Sequence, residues 1–185
     1  MEVKIAYADP PYLGMGKKMY GKLHPQASIW DDPQTHIDLM AKLNEEYDAW
    51  ALSLTSTSLC VLLPGAPTGS RVAAWVKPFA IWRPNHRVQY TWEPIIFRTE
   101  RSDGGRGIPS VKDHFSCNIA MKKGLQGAKP DAFNDYIIDL LGYEEGDIFV
   151  DLYPGTGGMQ KALDRLVPGW TTSNQMLLIE NEARR

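Results

Sequence analysis

Two short stretches of this sequence carry side chains arranged for chemistry. The first is Asp9-Pro10-Pro11-Tyr12, directly after the apolar run VKIAYA at 3–8. Proline fixes φ near −65° and has no N–H, so the Asp9 carboxylate and the Pro10 carbonyl are held rigidly, free of competing donors. Rigid acceptors beside an aromatic ring suit a flat substrate that carries N–H groups. The second stretch is FVDLYPGTGGM at 149–159, an apolar run that ends in Asp151 and Tyr153 before Gly155-Thr156-Gly157-Gly158. Glycines let the chain turn tightly and let a ligand approach the backbone. In open parallel α/β sheets, ligands settle at the carboxyl ends of the strands. Met159 follows the glycines where a P-loop needs Lys-Ser/Thr, and the G-x-G-x-x-G spacing is absent. Taken singly, each stretch also reads as plain structure: a rigid loop start and a tight strand-to-helix turn.

The elements that position these stretches are legible in outline. VKIAYA reads as a strand, and residues 12–31 as a long loop rich in Gly, Lys and polar residues. Asp32-Pro33 reads as an N-cap with proline at the first helical position. Ile37, Met40, Leu43 and Tyr47 then recur at helical spacing, which predicts a helix over 33–46. AWALSLT (49–55), RVAAWVKP (71–78), YTWEPIIFR (90–98), DIFVDLY (147–153) and QMLLIE (175–180) read as strands, with SLCVLLPG (58–65) a short turn or helix. PDAFNDYIIDLLG (130–142) predicts an amphipathic helix capped by Gly142, and MQKALDRL (159–166) a short one. Strands alternating with helices predict an α/β domain with a largely parallel sheet. The glycine-rich excursion at 99–129 and the loop at 12–31 are too long to be idle connections and are candidates for substrate contact. Trp75, Trp82, Trp92 and Tyr90 read as core or sheet-face aromatics.

Composition excludes several classes. The chain has 185 residues, 43% hydrophobic and 23% charged, which fits one globular domain over 1–185. No apolar run reaches membrane-spanning length and no secretory signal is visible, so the expectation is a cytoplasmic protein. Cys60 and Cys117 read as free thiols. His24, His36, His86 and His114 are scattered, so no metal site is expected. A net charge of −2 excludes a generic polycation but allows a local basic face.

Together the two stretches resemble the catalytic and cofactor motifs of amino-group methyltransferases that use S-adenosylmethionine, the DNA adenine methyltransferases in particular. The family's catalytic motif is Asp-Pro-Pro-Tyr, and its cofactor loop is Asp-x-Phe-x-Gly-x-Gly, with Tyr153 here in the place of the phenylalanine. The catalytic motif precedes the cofactor loop, the order of a permuted subgroup. Lys129-Pro130 before a helix and Trp92-Glu93-Pro94 opening a strand are also similar to family segments. GLQGAKP, DLLG and DLYPGTGG within 124–158 look like small methyltransferases of phages and actinobacterial mobile elements. The resemblance implies a Rossmann-like class I methyltransferase sheet with helices on both faces, circularly permuted and lacking one edge strand.

It also implies roles. Asp9 and the Pro10 carbonyl would accept the N–H groups of adenine's exocyclic amine, Pro11 would stiffen the motif, and Tyr12 would stack on a flipped-out base. LGMGKK at 13–18 would begin a mobile cover. Asp151, Tyr153, Gly155, Thr156, Gly157, Lys129, Pro130 and Glu180 would bind S-adenosylmethionine. Lys17, Lys18, Arg101, Arg106, Lys122 and Lys123 would meet DNA, the last four within a small target-recognition insertion at 98–129. A truncated sheet leaves room for a homodimer that closes the cofactor side. RNA, cytosine's amine or a protein amide remain alternative substrates, as does a non-catalytic DNA-binding protein on a decayed methyltransferase fold.

Overall fold

The computed structural model describes residues 2–22, 25–101, 110–120 and 127–166. Its elements are β1 (Lys4–Ala8), α1 (Pro33–Glu46), β2 (Ala49–Ser53), α2 (Ser56–Leu62), β3 (Arg71–Val76), β4 (Trp92–Thr99), β5 (His114–Ser116), α3 (Asp131–Leu141), β6 (Ile148–Asp151) and α4 (Gly158–Leu166). The Asp32 carboxylate accepts from Gln34 N at 2.9 Å and Pro33 opens α1, so that helix starts as its sequence predicts. At the end of α3, Gly142 adopts φ 71, and its N–H and that of Tyr143 return to the carbonyls of Asp139 and Ile138.

The sheet has six strands in the order β5-β3-β4-β2-β1-β6. β1 runs parallel to both β2 and β6, and β5 parallel to β3, but β4 is antiparallel to β2 and to β3. The expectation of a largely parallel sheet therefore holds for five of the six strands, with β4 alone reversed. β3 and β4 are joined by a loop that folds straight back, and such a connection makes antiparallel neighbours.

Alternation along the strands feeds two cores. Ile5, Tyr7, Ala51, Ile95 and Phe97 pack against Phe133, Ile137 and Leu141 of α3 and Met159 and Leu163 of α4. Ala6, Ala8, Trp50, Leu52 and Ile96 face the other way, onto Met40 and Leu43 of α1 and Leu62 of α2. Each large buried side chain contributes about 1.5–3 kcal/mol, and together they seal the helix–sheet–helix layers.

Residues 12–31 depart from the expected loop. Gly16–Tyr20 forms a π-helical turn and Ala27–Asp31 a 3-10 turn. The Asp31 carboxylate accepts from the N–H groups of Gly16 at 2.8 Å and Lys17 at 3.0 Å, and so clamps one turn on the other. A Cβ on Gly16 would lie 2.1 Å from the Ala27 carbonyl oxygen, so only glycine fits that crossing. Within 99–129 the described residues include β5, while the strand expected at 175–180 lies outside the described residues. Among the described residues no helix is long and apolar enough to cross a membrane, and no group of three or more His, Cys, Asp or Glu could hold a metal ion.

Candidate active site

The register of β1 against β6 pairs Tyr7 with Asp151, so two neighbouring parallel strands finish side by side. Asp9 therefore stands just beyond the end of β1, next to Asp151 at the end of β6. Because β4 runs the opposite way, its start and the end of β3 lie at the same edge of the sheet, and they bring Glu93 and Lys77 to the site.

A compact ionic cluster fills the space above Asp9. Lys129 Nζ lies 3.2 Å from Asp9 Oδ1 and 3.2 Å from Glu93 Oε2. The Tyr12 hydroxyl donates to Glu93 Oε2 at 3.0 Å and accepts from Lys129. Lys77 donates to the other Glu93 oxygen. Three rings, those of Tyr12, Trp75 and Phe133, stand 5.1 Å, 5.6 Å and 5.3 Å from the Lys129 ammonium and complete its cage.

The electrostatics follow from burial and pairing. Burial pushes the Asp9 carboxyl above its ordinary value, with Lys129 opposing. Burial acts the same way on Glu93, but Lys129 and Lys77 outweigh it and hold that carboxyl at about 2. Burial would lower Lys129, yet Asp9 and Glu93 more than compensate, so the ammonium stays charged. Asp9 Oδ1 is buried and, although ion-paired, has no aligned hydrogen bond. It keeps acceptor capacity for an incoming N–H.

Two cavities meet at this cluster. The larger, about 770 Å³, is lined by Asp9, Pro10, Tyr12, Lys18, Lys77 and Glu93 among others. The smaller, about 150 Å³, is bordered by Asp151, Tyr153, Gly155, Thr156, Gly158 and Asn134. Asp9 and Lys129 line both. Gly155 and Gly157 adopt φ 46 and 71, conformations that side chains disfavour, and at Gly155 this leaves the turn bare toward the small cavity. Burial raises the Asp151 carboxyl to about 6 against a hydrogen bond from Tyr153 N. Asn134 is buried on the first turn of α3, and its Nδ2 has no partner beside Gly158. Trp30 meets the Tyr153 ring edge-on at 5.5 Å, tying the 12–31 segment to the glycine turn.

The residues expected from sequence divide as follows. Asp9, Pro10, Tyr12, Lys129 and Lys18 come together at the larger cavity, and Asp151, Tyr153, Gly155 and Thr156 at the smaller one. Pro11 and Gly157 shape the adjoining backbone, Pro130 caps α3 through its carbonyl, and Lys17 is exposed beside Lys18. Arg101 is corrected. Its guanidinium binds Asp147 at 2.8 Å and the Gly142 carbonyl at 2.7 Å, beside the start of β6 and so at the opposite end of the sheet. Both arms are committed to protein acceptors, which leaves nothing to offer DNA. Arg106, Lys122, Lys123 and Glu180 lie outside the described residues. Trp82 is corrected too, since it is 67% exposed and belongs to no core. Sequence reasoning gave no role to Glu93, Lys77 or Asn134. A signal for Lys77 existed: Ala73, Trp75 and Lys77 share the inward side of one strand and its extension, and a lysine there needs a buried partner.

No protein-family model matches the sequence, and a search of curated proteins finds no match. Solved structures do match. The M1.HpyAVI–SAM complex superposes with a TM-score of 0.58 at 15% identity, over 90% of this chain and 79% of that one. M1.HpyAVI solved separately gives 0.51 at 13% identity, over 90% and 77%. A selenomethionine derivative of TTHA0409 from Thermus thermophilus, whose assignment as a DNA modification methylase is itself provisional, gives 0.54 at 12%, over 89% and 77%. The chain has the class I methyltransferase fold. In this fold the two cavities open at the carboxyl ends of β1 and β6, where the α/β architecture places ligands.

Proposed function

We propose that the chain is an S-adenosylmethionine-dependent DNA methyltransferase acting on the exocyclic amine of adenine. The carrying observation is that Asp9 and Lys129 line both cavities, so an amine held at Asp9 in the larger one faces whatever occupies the smaller. The likeness to a structure solved with SAM supports the choice of cofactor.

The small cavity suits the amino-acid end of that cofactor. Asp151 offers a buried carboxylate to an ammonium, and the N-terminus of α4 and the unpartnered Asn134 side-chain amide offer N–H groups to a carboxylate. Asp151, Asn134 and the glycine turn would hold S-adenosylmethionine, which when bound would supply an electrophilic methyl group with the thioether as leaving group. The proton given up by the amine would pass to water, with Asp9 Oδ1 the adjacent acceptor.

This chain's own residues supply position and charge. Asp9 Oδ1 and the Pro10 carbonyl accept the two N–H groups and favour a pyramidal nitrogen whose lone pair points out of the ring plane. Tyr12 offers its face to the base, braced by Glu93 and Lys129. Lys129 opposes the burial that favours the neutral form of Asp9. A base inside a duplex cannot reach Asp9, so it enters the larger cavity extruded or from single-stranded DNA.

Transfer of a labelled methyl group to unmethylated DNA tests the proposal, with the product nucleosides resolved by chromatography. Asp9→Ala is expected to lower the rate on the order of 10²–10³-fold, by analogy with the loss of one preorganised transition-state contact. Equal rates for the two proteins, or label on a nucleoside other than adenine, would overturn it.

A further inference from the structure

The loop between β3 and β4, residues 77–91, emerges at the edge of the sheet that holds the site. From Pro78 to Trp92 it contains no acid, whereas Arg83 and Arg87 bring positive charge. It also turns large apolar groups outward: Phe79 is 52% exposed, Ile81 66%, Trp82 67% and Val88 82%. The loop is nonetheless built. The Gln89 side chain accepts from Arg83 N at 2.7 Å and donates to the Arg83 carbonyl at 3.2 Å and to that of His86. The Arg83 guanidinium stacks 4.7 Å from the Tyr90 ring, and His86 meets the same ring edge-on. Asn85 turns the tip with φ 66, a conformation asparagine tolerates.

A braced loop that presents a ring and cations together matches a strand of nucleic acid, which offers flat bases at intervals along a line of phosphates. Its position narrows the match. Ile81 and Arg83, on either side of Trp82, line the same cavity as Asp9 and Tyr12. A strand lying on this loop therefore has a base within reach of the catalytic carboxylate.

Resting on the DNA methyltransferase reading, we propose that the 77–91 loop is the element that holds the target strand. Trp82 stacks on a base next to the extruded one, and Arg83 and Arg87 meet the flanking phosphates. Target contact is thereby assigned to the β3–β4 loop in addition to any residues of 98–129.

Fluorescence anisotropy with a labelled DNA oligonucleotide, single-stranded and duplex, tests this, alongside calorimetric titration of S-adenosylmethionine. Trp82→Ala is expected to weaken DNA binding about 5–150-fold, the equivalent of one lost base stack, and Trp82→Phe to restore most of it. Arg87→Ala is expected to reduce the slope of log K against log salt by about one. Cofactor affinity is expected to be the same in all three variants. The proposal is overturned by a Trp82→Ala protein that binds DNA like the wild type, or by a Trp82→Phe protein as weak as Trp82→Ala. It is also overturned by preference of the wild type for RNA of the same sequence by about tenfold or more. DNA binding that depends on Trp82 in a chain that transfers no methyl group would uphold the loop and refute the enzyme. Methyl transfer with an indifferent Trp82 would do the reverse.

Discussion

Asp9 sits between opposing influences: burial favours its neutral form, and the Lys129 ammonium at 3.2 Å favours the carboxylate. If the carboxylate is what accepts the amine, Lys129 sets the pH range of the reaction. Lys129→Met is expected to move the acidic limb of the rate–pH profile to higher pH, because Asp9 then binds its proton more tightly. It also leaves two buried carboxylates with one lysine, which is expected to cost about 3–5 kcal/mol in a denaturant melt. A profile unmoved by the change would remove Lys129 from the chemistry. Asp9, Tyr12, Asp151 and Lys129 were legible in the sequence because each stands in a short motif. Glu93 showed only as part of Trp92-Glu93-Pro94 and Lys77 only as a lysine on an inward side. Their pairing was not legible, because it arises only when two antiparallel strands bring them together from 16 positions apart.

The segment between β1 and α1 is the element that most changes between sequence and structure. Its turns carry no apolar period, since they are held by the Asp31 carboxylate and by a glycine crossing rather than by a buried stripe. Those are side-chain contacts across a loop, and no propensity announces them. Met15, Lys18, Met19 and Tyr20 on this segment line the larger cavity, so its packing shapes the substrate wall. Gly16→Ala is expected to force the two turns apart at a cost of about 1–3 kcal/mol. In methyl-transfer kinetics KM for DNA should rise more than kcat falls; a variant with unchanged KM would show that the segment does not form the wall. The helices were easier to read. α1 begins on an Asp-Pro cap and α3 stops at a left-handed glycine, both local signals written in adjacent residues. Strand direction was not local, and the antiparallel placement of β4 was missed for that reason.

At the scale of the whole molecule, the site is held at some cost in stability. Burial raises Asp151 from 3.8 to about 6. Between those values the folded chain keeps a proton that the unfolded chain releases, so stability from this group falls as pH rises through the window and stays lower above it. Asp151→Asn removes that penalty while retaining an oxygen for Tyr153 N. It is expected to stabilise the protein by about 1–3 kcal/mol at pH 7.5 and by little at pH 4, as measured by urea melts. Calorimetry should show weakened cofactor binding in the same variant. No gain at pH 7.5 would mean that Asp151 is solvated better than its burial indicates.

The far end of the sheet is built differently. There the Asp147 carboxylate takes Val3 N at 3.0 Å, Glu144 N at 2.8 Å and the Arg101 guanidinium at 2.8 Å, while Arg101 also grips the Gly142 carbonyl. One acid and one arginine thus fasten the lead-in to β1, the exit of β4 and the approach to β6. Among the described residues the sheet is stitched like a book along this spine, and its pages open at the other edge. Loops at the open edge can diverge in length and sequence without loosening the binding, which makes that edge the natural place to graft a different target preference onto the same scaffold.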